Sequence, residues 1–105
     1  MASDDAEPLL PCPCCGYATL SSRGSDEICP ICFWEDDGQD DDDADDERGG
    51  PNRVSLTAAR LNFLRIGVAE LENRPHVRAP SPTDRRVRAF VLEDGRVVDR
   101  TDREP

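Results

Sequence analysis

Cys12-Pro13-Cys14-Cys15-Gly16-Tyr17 and Cys29-Pro30-Ile31-Cys32, with thirteen residues between Cys15 and Cys29, are the stretches on which the fold of this chain turns. Each holds two cysteines three positions apart, and sulfurs at that spacing reach one ion only if the backbone between them makes a tight turn. Proline in second position presets φ for such a turn in both pairs. Cys12, Cys15, Cys29 and Cys32 therefore read as four thiolates around one metal ion. Zn2+ is the expected occupant, because four thiolates close its tetrahedral shell and leave no open position for a substrate.

Gly16 follows Cys15, where a metal knuckle needs a residue tolerant of positive φ and an amide close to sulfur. Phe33 holds the matching place after Cys32. A bulky residue at positive φ costs about 1–2 kcal/mol, so the second knuckle is expected to be either strained or differently shaped. The other shape is a helical turn opening at Pro30, with Glu35 and Asp36 near its positive end. Cys14, the fifth cysteine, breaks the spacing and is expected to pack beside the metal without binding it. A reactive Cys14 is the alternative, but four thiolates on a divalent ion leave negative surroundings that disfavour a further thiolate. His76, the single histidine, is expected to be an exposed loop residue.

At 105 residues the chain is at most one modest domain with tails. Leu, Ile, Val and Phe make up 21 of the 105 positions, the border at which a highly charged chain fails to fold on burial alone. Metal must contribute, and structural zinc supplies on the order of 10–16 kcal/mol of apparent folding free energy in small peptides. The first residues lack a basic region followed by an apolar one, and no apolar run approaches the ~18 residues of a membrane span. Thiols kept free for metal point to a reducing compartment, so a cytoplasmic protein with no membrane partner is expected.

The net charge of −10 is unevenly spread: residues 1–50 carry −13 and residues 51–105 carry +3. Glu35 to Glu47 alone hold ten carboxylates with almost no apolar side chain, which reads as a solvated, self-repelling loop outside the fold. The run lacks the alternating ligand register of a calcium loop, and its charge makes nucleic acid an unlikely partner.

The pattern places a disordered tail over 1–10, a zinc ribbon plus helix over 11–74 with the acidic loop at 36–49, a linker over 75–85 and a β-hairpin extension over 86–105. Tyr17-Ala-Thr-Leu20 and the residues around Ile28 read as short strands either side of a serine-rich turn. Ser55 caps a helix whose stripe is Leu56, Ala59, Phe63 and Ile66, with Arg60 and Arg65 facing elsewhere and Gly67 as the stop. That stripe is expected to pack on the ribbon, with Trp34 as a candidate contact, and a second short helical stretch is expected over 68–73. Arg88 to Arg100, with Asp94-Gly95 at its centre, reads as a hairpin on a two-residue turn. The fold class is thus a small metal-stabilised α+β domain: a zinc ribbon, a helix and a C-terminal β-hairpin.

Pro11-Cys-Pro-Cys-Cys-Gly-Tyr17, Cys29-Pro-Ile-Cys-Phe-Trp-Glu-Asp-Asp37 and Gly50-Pro-Asn-Arg-Val-Ser-Leu56, followed by Ala59-Arg60 and Asn62-Phe63, resemble the cysteine-rich CPCC family of small bacterial proteins. The resemblance spans roughly residues 11 to 68 and implies zinc binding without implying a biological role. The knuckles also resemble those of rubredoxins, which hold iron. Phe33 in place of a second glycine and the short interval between the pairs count against that likeness.

Three functions are compatible with these residues. The first is a metal-stabilised module that serves protein contacts with an unidentified partner and has no chemistry of its own. The second is an electron-transfer or thiol-redox protein, with Fe in the four-cysteine site or exchange at Cys14, and the third is an acidic inhibitor or regulator of a basic partner. No enzymatic activity is expected: the chain has one His and no Lys, no nucleophile motif and no phosphate-cradling glycine loop, and its metal shell is closed. Oligomeric state is not legible.

Overall fold

The computed structural model describes residues 9–47 and 52–101. Among the described residues there are two small antiparallel sheets and one α-helix, an α+β arrangement, with the cysteines clustered in the core. Strand β1 (Leu10–Pro11) pairs with β2 (Ala18–Leu20) across the first cysteine turn, and β3 (Phe90–Glu93) pairs with β4 (Arg96–Asp99). The strand expected over Tyr17–Leu20 is thus present as β2, but it pairs with Leu10–Pro11 across the first knuckle and not with residues around Ile28 across the serine-rich turn. Ile28 contributes only an isolated bridge, to Glu35 across the second knuckle. Of the tail expected over 1–10, residues 1–8 lie outside the described residues, while Leu10 is already in β1.

Helix α1 (Leu56–Ile66) starts and stops where its caps dictate. The Ser55 hydroxyl accepts from the Ala58 amide, and Gly67 ends the helix in the left-handed conformation at φ +82°, its amide donating to Phe63 O at 2.8 Å. Leu56 and Ala59 are fully buried against Cys12, Cys14, Cys15, Ile31 and Trp34, with Phe63 half-buried at the margin. Arg60 corrects the sequence reading, because it too is buried. It sits four residues after Leu56 and so on the inward face, with its guanidinium 4.3 Å from the Phe90 ring centroid and its Nε donating to Pro13 O at 2.7 Å. The helical stretch expected over 68–73 is instead a 3-10 segment at Leu71–His76.

The acidic run departs most from its expectation. A short 3-10 turn (Asp41–Asp43) is capped by Asp40, Asp36 and Gln39 are almost fully buried, and Ala44 joins the core. Arg23, Arg60 and Arg88, which come from three separate parts of the chain, converge on Asp40 at 2.8, 3.5 and 2.9 Å. Arg60 and Arg88 also reach Asp41 at 2.9 and 3.0 Å, and Arg23 Nε meets buried Asp36 at 2.9 Å. Repulsion among neighbours in sequence is outweighed by cations the fold brings from a distance, so Asp36 to Ala44 belongs to the fold. Residues 48–51, where the acidic loop was expected to close, lie outside the described residues.

The hairpin is where the sequence placed it. Asp94 and Gly95 take φ +52° and +77°, positive at both central residues as a type I′ turn requires. Its approach segment is fastened to the first knuckle: Val87 N and Arg88 N donate to Gly16 O at 2.8 and 3.0 Å, and Ala18 N donates to Arg85 O at 2.8 Å. Between the 3-10 segment and this contact, Arg78 N donates to Pro30 O at 3.1 Å while its guanidinium grips Asp84.

Candidate metal centre

The two cysteine turns are built alike. In the first, Gly16 N donates to Cys12 O at 2.8 Å and Cys12 N to Tyr17 O at 2.9 Å; in the second, Phe33 N donates to Cys29 O at 2.8 Å and Cys29 N to Trp34 O at 3.0 Å. Gly16 has φ +83° and Phe33 +69°, so the second knuckle takes the strained form of the two expected, and no helix opens at Pro30. Phe33 also stacks on His76, with ring centroids 5.4 Å apart, and His76 is exposed as expected. Each turn is braced from outside. The first carries the Arg85–Arg88 contacts; the second receives Ala69 N on Cys32 O at 2.8 Å, while the Asn52 side chain brackets the Glu35 backbone at 3.0 and 2.7 Å.

Cys12, Cys15, Cys29 and Cys32 are brought together with all four sulfurs within 4.8 Å of one another, every one buried. Cys12 and Cys32 sulfurs are 3.6 Å apart and Cys15 and Cys29 sulfurs 3.7 Å apart. A regular tetrahedron of sulfurs about 2.3 Å from a central ion has edges of about 3.8 Å. The cluster therefore has the size and donor softness of a four-thiolate site and could hold a metal ion. Zinc and iron both fit that donor set.

Electrostatics follow from the same crowding. Hydrogen bonding with Cys12, Cys15 and Cys32 lowers the Cys29 thiol far below its ordinary range, whereas bonds to Cys12 and Cys29 push Cys15 up and burial pushes Cys32 up. Ligation needs deprotonated sulfur, so a bound cation would displace the protons over which these crowded thiols compete. Cys14 lies outside the set of four and is buried, and burial raises its pKa. It packs in the same buried core as the other four cysteines.

Residues other than the cysteines complete the surroundings. Thr19 Oγ1 lies 3.2 Å from Cys29 Sγ, and Ile31 N donates to the same sulfur at 3.4 Å. Trp34 is fully buried in the cysteine-lined core with its Nε1 unpartnered. Nothing in the motif spacing signals Thr19, since it lies on β2, past the end of the knuckle. Two surface hollows have no cysteine in their lining: one is lined by Leu9, Ala18, Thr83 and Arg85, another by Phe63, Ile66, Val77 and Pro80 among others. Among the described residues no helix is long and apolar enough to cross a membrane.

Residues 10–84 match the family model described as Cysteine-rich CPCC, well over half of the chain. The match runs past the sequence blocks that end near residue 68 and takes in the segment up to Asp84. Comparison with curated proteins and with solved structures gave no match.

Proposed function

The chain belongs to the cysteine-rich CPCC family, and on that premise we propose that it is a small zinc protein in which a structural four-cysteine site, of zinc-ribbon type, organises a module for protein–protein contacts. The observation that carries the reading is the closed cluster: four buried sulfurs within 4.8 Å of one another saturate a tetrahedral ion. A site saturated by protein ligands has no position for substrate, which supports a non-enzymatic role. Cytoplasmic residence agrees with five unpaired thiols. The partner is a protein, as the acidic surface disfavours nucleic acid.

Metal analysis with visible absorption on protein purified from its native host tests this. One zinc per chain and a colourless solution are expected. A red protein with a reversible iron couple overturns the scaffold reading and assigns electron transfer, since zinc is colourless and redox-silent while iron in four thiolates is neither.

A further inference from the structure

Cys29 is the sulfur on which two hydrogen bonds converge, from the Ile31 amide at 3.4 Å and the Thr19 hydroxyl at 3.2 Å. The amide bond comes from within the second knuckle. The hydroxyl comes from β2, the strand that leaves the first knuckle, so this bond runs from one half of the site to a ligand of the other. A free thiol could donate or accept here, but a metal-bound thiolate has no proton. Once metal is held, the Thr19 hydroxyl can only donate and the Cys29 sulfur can only accept. Ala18 and Leu20 are buried on one face of β2, so the alternation of the strand presents Thr19 on the other.

Resting on the metal reading above, we propose that Thr19 is a positioning residue for the metal centre: its hydroxyl donates to the Cys29 thiolate, holds that ligand in place and withdraws charge from its bond to the ion. Four thiolates around a divalent cation leave an excess of two negative charges in a buried site. A donor aimed at one sulfur spreads that excess into the protein, and partners of this kind are worth about 10–100-fold in metal affinity. The withdrawal has an electronic signature that simple packing lacks. A sulfur relieved of charge is a poorer electron donor, so charge-transfer bands from sulfur to metal lie at higher energy while the bond is present.

The test uses the full-length chain loaded with Co2+, which reports the thiolates in its ultraviolet and visible spectrum, together with zinc competition against a chromogenic chelator. Thr19→Val is expected to shift the sulfur-to-cobalt bands to lower energy and to weaken zinc binding about 10–100-fold. Thr19→Ser, which keeps the hydroxyl, is expected to restore both. Weakened binding in Thr19→Val with unmoved bands would reduce Thr19 to packing and overturn the proposal, as would a Thr19→Ser protein that behaves like Thr19→Val. If Thr19→Val and Thr19→Ala fail to load while Thr19→Ser loads, the hydroxyl is required for loading and the proposal stands. Failure of the unmodified chain to give a tetrahedral thiolate cobalt spectrum strikes the four-thiolate reading itself, a separate outcome.

Discussion

Replacing Gly16 by alanine should cost far more than the same change at Gly67, although both glycines have nearly the same backbone angle, φ +83° and +82°. At Gly67 an added Cβ meets nothing within 4 Å, so the change carries left-handed strain alone, about 1 kcal/mol. At Gly16 the added Cβ would stand 1.9 Å from Arg88 O, a backbone atom that cannot swing aside as a side chain can. The segment Arg85–Arg88 must then lift off the first knuckle. That move sacrifices the bonds from Val87 N and Arg88 N to Gly16 O and from Ala18 N to Arg85 O, each worth about 1 kcal/mol net. Strain and lost bonds together come to about 4 kcal/mol for Gly16→Ala. Denaturant unfolding of both variants at one fixed free zinc concentration measures the difference, since unequal metal activity would itself shift stability. A gap of about 3 kcal/mol is expected. If Gly16→Ala falls within about 1 kcal/mol of Gly67→Ala, the hairpin is not docked on the metal knuckle and the reasoning fails.

Serine at any one of Cys12, Cys15, Cys29 or Cys32 should abolish tight zinc binding, whereas Cys14→Ser should keep about one metal per chain, checked by elemental analysis after gel filtration. In the zinc-loaded chain Cys14 is expected to resist thiol reagents because it is buried; chelation should expose all five cysteines together with loss of ordered structure, and rapid labelling before chelation counts against this packing. Deleting Asp40 to Glu47 should lower the melting temperature, because it strips Arg23, Arg60 and Arg88 of their shared carboxylates; an unchanged or higher value restores the solvated-loop picture. Burial alone would raise the Asp40 pKa, but bonds from Arg23 and Arg88 bring it down from 3.8 to about 2. A carboxyl lowered on folding stabilises above its unfolded pKa and loses that contribution as pH falls through its folded one. The stability gap between the native chain and Asp40→Asn, followed with bound Cd2+ to retain metal in acid, should therefore be flat above about pH 4 and close toward about pH 2.

Much of this was legible from local rules. Ser55 and Gly67 bound a helix by capping chemistry, Asp94-Gly95 specifies a hairpin turn, and two cysteine pairs of equal spacing bring four sulfurs into one cluster that could hold a metal ion. Each of these signals is contained within a few neighbouring residues. Arg60 was misread because its charge was weighed above its position on the Leu56 face, and a guanidinium can be buried when an aromatic ring, a carbonyl and a carboxylate receive it. The acidic run failed for a related reason. Its repulsion is visible in sequence, but the Arg23, Arg60 and Arg88 side chains that answer it come from places up to 65 positions apart along the chain. The Thr19 bond to Cys29 spans ten positions and joins the strand leaving the first knuckle to a cysteine of the second, beyond any spacing rule.

Trp34 is the only tryptophan of the chain, and it lies wholly inside the cysteine-lined core with its indole N–H unpaired. The molecule therefore carries its own optical gauge. An indole held in a dry environment emits toward the blue, and one released to water emits toward the red, so a shift in emission follows the core as metal is added or withdrawn. No label is needed, and the signal originates beside the sulfurs rather than at a distant surface. Every variant considered above can be titrated with a chelator in one cuvette, and a change that disturbs the hairpin alone can be told from one that opens the sulfur cluster by whether the tryptophan responds.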